Sequence, residues 1–277
     1  MALTDDTPGA ASTPADEPAL IHADRIGLQI RTVKQKTGEG GNSFVDLVRE
    51  SLRSRATIFK RDILKDLTFT LNRGDRVGLI GANGAGKSTL LFVLNGAMAS
   101  SSGKLTVNGS THALMNVRLG MKIRATGIEN IYLNGYRLGH SANTIRELTD
   151  EIIEFSELGT RIYEPIQTYS AGMQLRLAFA IATSIKPDIL LMDEWVGAGD
   201  RRFRHKAQER LNGVLAHSRG MVIASHSEHL IRSVCNKVLY LDNGEMRFFG
   251  DLDTGYEMFN ADQAAPLAKD GAAENPG

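Results

Sequence analysis

The sequence predicts an α/β domain built around a phosphate-binding turn, with a largely helical insertion near residues 118–172. Three observations carry that reading. A compact apolar strand, Asp75–Ile80 (DRVGLI), runs straight into the glycine-rich stretch Gly81-Ala82-Asn83-Gly84-Ala85-Gly86-Lys87-Ser88 and then into a helix. Asp188–Met192 and Met221–Ala224 are short apolar runs of the kind that form buried strands. Between these lie stretches of helical period, Gly127–Leu138, Ser141–Leu158 and Met173–Ile185. Strands alternating with helices give an α/β core.

The remaining elements follow from local pattern. Ala23–Thr32 and Thr57–Leu71 read as the first two strands, separated by a polar, Gly-rich loop at Lys34–Asn42. Ser43–Arg55 reads as an amphipathic helix: Phe44, Leu47, Val48 and Leu52 share one face and Ser43 can cap it. In Ser141–Leu158 the stripe is Ile145, Leu148, Ile152, Phe155 and Leu158. Val238–Leu241 and Met246–Phe249, split by Asn243-Gly244, read as a hairpin. The domain is expected over 21–251. Residues 1–20 are expected to be a disordered tail, rich in small and acidic residues and proline. Residues 252–277 are expected to be a short tail, helical at most around Asp253–Phe259.

Composition narrows the function classes. The chain has 277 residues, which suits one generous domain or one domain with tails. Lys+Arg and Asp+Glu are both 32, so a net-basic nucleic-acid binder is not indicated. Cys235 is the only cysteine and has no partner for an internal disulfide, which fits a reducing compartment. No segment reaches the roughly 18 apolar residues that span a bilayer. The N-terminus lacks the basic start and apolar run of a secretory signal.

The glycine-rich stretch matches G-x-x-x-x-G-K-[ST] between a strand and a helix. Gly81, Asn83, Gly84 and Gly86 let backbone amides converge on phosphate oxygens, and the helix opened by Lys87, Ser88 and Thr89 adds its positive end. Lys87 is expected to reach the β- and γ-phosphates and Ser88 to ligate magnesium. Ile189–Met192 ends in two acids, Asp193 and Glu194. An acid at a strand end beside such a loop suits water-mediated magnesium binding, the role expected of Asp193. Glu194 can then polarise the attacking water as general base. These residues specify a nucleotide and not the machine that uses it.

Tyr169-Ser170-Ala171-Gly172-Met173 supplies the machine. Ser170 lies 23 residues ahead of Asp193, and the segment resembles the LSGGQ signature of ATP-binding cassette proteins. Tyr169, Ala171 and Met173 replace Leu, Gly and Gln. Ser170 and Gly172 remain, offering a hydroxyl and amides at a helix start, a place that attracts anions. The resemblance implies a cassette fold: a phosphate-loop core with a β-subdomain and a helical insertion. It implies ATP and Mg²⁺ as cofactors and a homodimer in which each signature faces the other subunit's γ-phosphate. Asp200, closing GAGD, resembles the loop that spans such dimers. His226, 33 residues past Asp193 in Ala-Ser-His-Ser, resembles the switch histidine that contacts the γ-phosphate. Asn116 stands where the family carries Gln or an acid that reaches magnesium or water. The family's adenine-stacking aromatic is missing from Arg31–Lys36, with Phe59 a conceivable substitute, so weak discrimination among bases is expected.

Gly127–Gly135 (GIENIYLNG), the block from Thr168 to Asp200, and the insertion containing SFVDLVRESLR resemble the ATPase subunits of polysaccharide exporters: O-antigen, capsule or teichoic acid. That resemblance implies an integral membrane permease as partner and a peripheral position on the cytoplasmic face of the inner membrane. Export of a lipid or lipoprotein is the alternative, and a soluble cassette protein acting on ribosomes or DNA a further one. With only Gly250–Gly277 after the hairpin, a separate sugar-binding domain of about 100 residues is not expected.

Overall fold

The computed structural model describes residues 18–34, 57–115, 120–193 and 201–264. The helix expected over Ser43–Arg55 lies outside the described residues.

Strand β1 (Ile21–Lys34) turns back on β2 (Thr57–Leu71), and β3 (Arg76–Ile80) follows after a short turn. Helix α1 (Lys87–Leu94) leads to β4 (Ser102–Val107) and β5 (Thr111–Leu114). Three helices come next: α2 (Gly127–Arg137), α3 (Ala142–Ser156) and α4 (Ala171–Thr183), with short 3-10 turns at Gly159–Tyr163 and Ile166–Thr168 between the last two. The chain closes with β6 (Ile189–Asp193), α5 (Arg201–His217), β7 (Gly220–Ala224), α6 (Glu228–Val234), β8 (Lys237–Asp242), β9 (Glu245–Gly250) and α7 (Leu252–Ala264).

The strands are ordered β4-β1-β2-β9-β8-β3-β7-β6-β5. One end is antiparallel, β1 pairing with both β2 and β4. The other is parallel, β8-β3-β7-β6-β5. The expected hairpin is present as the antiparallel pair β8–β9.

The parallel strands alternate cleanly between two cores, as the two-residue period of a strand requires. Leu190 and Met192 of β6, Met221 and Ile223 of β7, and Val238 and Tyr240 of β8 point toward the helical insertion, α5, α6 and α7. Ile189, Leu191, Val222, Leu239 and Leu241 point the other way, onto α1 and the β1–β2 layer. A sheet buried on both faces explains why these strands read as unbroken apolar runs.

The helical insertion is capped by its own sequence. Thr126 accepts from the Glu129 amide at 3.1 Å, and the Glu129 carboxylate accepts from the Thr126 amide at 2.7 Å, a reciprocal capping box. Those bonds from Thr126 hold the exposed Glu129 carboxyl below the usual range. Asn130, fully buried, accepts from the Lys122 amide at 2.7 Å and donates to the Thr126 carbonyl at 2.8 Å, stapling the incoming segment to α2.

The structure adds elements that the pattern analysis did not single out: β4, β5, α5 and α6. Helix α7 runs five residues past its expected end, to Ala264. Its extra turn is held by tertiary contact: the Tyr240 hydroxyl donates to Asp262 at 3.0 Å and the Phe259 ring sits edge-on to Tyr240.

Gly78 of β3 faces α6. A Cβ there would come within 2.4 Å of the Ile231 Cγ2, and Ile231 is fully buried. The bare backbone at 78 therefore sets how closely α6 lies on the central strand. Gly78→Ala should overpack this contact and lower unfolding free energy by ~1–3 kcal/mol, read as a fall in the urea midpoint. An unchanged midpoint for the variant would contradict this packing.

Candidate functional site

The site grows from the C-terminal edge of the parallel strands, where loops leave β3, β6 and β7 side by side. Open α/β sheets bind ligands at that edge.

Leaving β3, the chain must turn sharply over β8. Gly81 takes a φ of 149°, and a Cβ on it would sit 2.0 Å from the Leu241 carbonyl oxygen, so no other residue fits. The next bend is held from outside. The Gly244 amide, in the β8–β9 turn, donates to the Ala85 carbonyl at 3.0 Å. Gly86, with φ of 106°, closes the loop, its Cα facing the Ile63 carbonyl so that a Cβ would meet that oxygen at 3.1 Å. Helix α1 then starts at Lys87 with Gly86 as its N-cap and no side-chain cap. Its first amides and positive end are left to the loop's concavity. The Lys87 ammonium folds back over the loop, donating to the Gly81 carbonyl at 2.8 Å and the Ala82 carbonyl at 3.0 Å.

Two neighbouring strands deliver the remaining groups. Asp193 is the last residue of β6, paired across with Ala224, the last of β7. Ser225 and His226 follow directly. Ser225 accepts from the Ser227 amide at 3.1 Å, and Ser227 caps α6 by accepting from the Leu230 amide at 3.3 Å. Together these elements enclose a cavity of about 730 Å³ lined by Asn83, Gly84, Gly86, Lys87, Ser88, Thr89, Asp193 and His226. A cation, hydroxyls, a carboxylate and an imidazole thus face one space, over a helix N-terminus. That chemistry suits a phosphate chain with a hard metal ion.

Arg61 and Ile63 of β2 also line the cavity, and no motif marked them. They arrive there only because β2 runs beside the loop, a tertiary fact with no local signature. Phe59 pairs with Thr32 in the β1–β2 ladder, and its side chain lies outside the described residues. Glu194, Asp200 and Asn116 also lie outside the described residues.

Ser170 and Gly172 are not brought to the cavity. Ser170 caps α4, its hydroxyl accepting from the Met173 amide at 3.3 Å. Ser170, Ala171 and Gly172 are all exposed, and the space around Gly172 is open. The structure therefore gathers one group of expected site residues and leaves the signature pair at a separate, solvent-facing helix start.

The model of the ABC transporter family matches residues 64–197. Among curated proteins, the O-antigen export system ATP-binding protein RfbE of Yersinia enterocolitica is 43% identical over 191 residues, 69% of this chain and 80% of that protein. The teichoic acids export ATP-binding protein TagH of Listeria innocua is 38% identical over 188 residues, 68% of this chain and 56% of that protein. The O-antigen export system ATP-binding protein RfbB of Myxococcus xanthus is 40% identical, and this chain spans 43% of its length. Among solved structures, the ATP-binding subunit of an ABC transporter superposes with a TM-score of 0.62 at 22% identity, covering 87% of this chain and 93% of that one. A dimeric ATP-binding cassette in a post-hydrolysis state with ADP and phosphate gives 0.60 at 19% identity, over 84% and 98%. The cassette fold is shared with these structures, and the kinship to the exporter proteins, extending over most of the Yersinia relative, makes this chain a member of the ATP-binding cassette transporter family.

Proposed function

We propose that this ATPase powers export of a cell-surface polysaccharide of the O-antigen or capsule class, acting as a homodimer on the cytoplasmic face of the inner membrane beneath an integral membrane permease. The observation that carries the reading is the kinship itself: relatives named for O-antigen and teichoic acid export are 38% to 43% identical to this chain over 187 to 191 residues. Among the described residues no helix is long and apolar enough to cross a membrane, so the pathway would belong to a partner.

The residues in the cavity fit Mg-ATP. Ser88 and Asp193 offer the hard oxygen donors that Mg²⁺ prefers, and both border the cavity that Lys87 enters. The metal would neutralise charge on the phosphates and orient them. Lys87 would exchange its bonds to the Gly81 and Ala82 carbonyls for phosphate oxygens. Glu194 follows Asp193 directly in the sequence and is assigned as the base that orients and polarises water. His226 would contact the γ-phosphate and Asp200 would lie at the dimer seam. Asn116, one residue beyond Met115 of the cavity lining, would reach the metal or its water.

Two copies supply what one lacks. An exposed helix start carrying Ser170 and Gly172 is an anion site without an anion partner in its own chain. Set against the phosphate loop of a second copy, it would close the cavity over the nucleotide. The dimeric state of structurally similar cassettes supports this arrangement.

The permease contact is assigned to the segment 120–124 and α2. This face carries large apolar side chains in the open: Ile123 at 60% exposure, Tyr136 at 53% and Leu133 at 45%. A groove of about 540 Å³ beside it is lined by Met121, Leu138, Ile181, Arg137 and His112. Burial pulls the pKa of His112 down.

Glu194→Gln keeps size and hydrogen bonding but removes the charge that polarises water. Hydrolysis should fall by ~100-fold or more while ATP binding persists, and cells carrying the variant should lose surface polysaccharide. Normal turnover would refute Glu194 as base; lost turnover with undiminished surface polysaccharide would refute the export reading. Ser170→Arg should leave nucleotide binding by the single chain intact and block ATP-driven dimerisation in sedimentation. A Ser170→Arg chain that still dimerises with ATP would refute the shared site.

A further inference from the structure

Tyr169 stands where the comparable signature carries leucine, one residue ahead of Ser170. Its ring is 6% exposed, inside the core cluster that also holds Ile162, Ile166 and Met173. An apolar side chain would fill that space. A buried hydroxyl costs stability unless it is bonded, and this one has a partner in a different element. It donates to the Arg161 carbonyl at 2.6 Å, in the 3-10 turn Gly159–Tyr163. Its oxygen also packs against Gly127, the first residue of α2, whose amide donates to the Glu164 carbonyl at 3.3 Å just past the same turn.

The backbone of Tyr169 is held as well. Its amide donates to the Ile166 carbonyl at 2.9 Å. The peptide that follows leads directly into Ser170, the N-cap of α4. Gly127 has been left bare to admit the phenol: a Cβ there would lie 2.7 Å from the Tyr169 hydroxyl oxygen and 2.8 Å from the Ile162 carbonyl. One residue thus binds the 3-10 turn, packs its hydroxyl against the start of α2 and leads into the start of α4.

We propose that Tyr169 is a positioning residue: its hydroxyl fixes Ser170 and the N-terminus of α4 relative to α2, so that α2 and the signature move as one body toward the second copy's nucleotide. The inference rests on the shared-site reading. It also gives a path for coupling, because Asn134 and Arg137 of the same α2 line the groove assigned to the permease.

The test uses the purified full chain. Tyr169→Phe removes one oxygen and keeps the ring. kcat should fall about tenfold, the scale of one buried hydrogen bond, with KM for ATP within about twofold, because the phosphate loop is untouched. Gly127→Ala pushes on the same hydroxyl from the other side and should lower kcat similarly. The double variant should lose little more than either single, since both break one contact. A Tyr169→Phe chain that loses thermal stability but keeps kcat within twofold overturns the proposal, as do additive losses in the double variant or a rise in KM at constant kcat. Ser170→Arg separates the two claims. If Ser170→Arg still dimerises, the shared site fails; if it does not and Tyr169→Phe turns over normally, only the positioning role fails.

Discussion

The carbonyl oxygen of Leu241 faces the Cα of Gly81, so close that a side chain there would lie within 2.0 Å of it. That approach is what turns the chain leaving β3 across the end of β8 instead of letting it run on. The rest of the site depends on the turn. With the loop pressed onto β8, the β8–β9 turn reaches Ala85 from one side and the Ile63 carbonyl backs Gly86 from the other. The loop amides are then forced to curl toward the edges of β7 and β6, where His226 and Asp193 wait. The energetic support is the two-sided burial of the parallel strands. Residues such as Leu191 and Leu79, with no exposed surface, each contribute on the order of 1.5–3 kcal/mol when taken from water. A rigid sheet edge lets a loop with little packing of its own hold a fixed shape.

The same geometry explains why Ser170 and Gly172 lie away from the cavity. Serine and glycine of the signature sit at the head of α4, and α4 belongs to the helical insertion, not to the sheet edge. That insertion is tied to the body by polar contacts around α5: Arg210 pairs with Glu151, and the Lys206 ammonium donates to Glu157 at 2.8 Å and to the Phe155 carbonyl at 3.1 Å. Phe155 also stacks on Phe179 and meets Phe203 edge-on. In the proposed dimer such a unit would present its helix start to a neighbour, and a nucleotide held between two copies would join them through the oxygens it shares.

Much of this was legible in the sequence because it is local. The turn from Ile80 into Lys87 is a strand, a glycine pattern and a helix in direct succession. The two-face burial showed as unbroken apolar runs, and the Ile145–Phe155 stripe as helical spacing. What stayed hidden was either weakly patterned or tertiary. Helix α5 opens on a run rich in charge, and its apolar stripe is thin: Phe203, Ala207, Leu211, Val214 and Leu215. Helix α6 is a single short stretch whose place is set by the gap at Gly78. Arg61 and Ile63 enter the cavity through strand pairing, and the last turn of α7 through Tyr240 and Asp262. Tyr169 read as a departure from the signature; only the buried hydroxyl, bonded to the Arg161 carbonyl and packed against Gly127, shows what the larger side chain does.

The central claim is that one chain carries two incomplete half-sites that complete each other across a dimer. The direct measurement is the specific ATPase activity of the purified chain across a dilution series, alongside sedimentation with ADP and with a non-hydrolysable ATP analogue. The account predicts specific activity that climbs with protein concentration, a monomer with ADP and a dimer with the analogue. Turnover per chain that stays constant down to concentrations where only monomer sediments would contradict it.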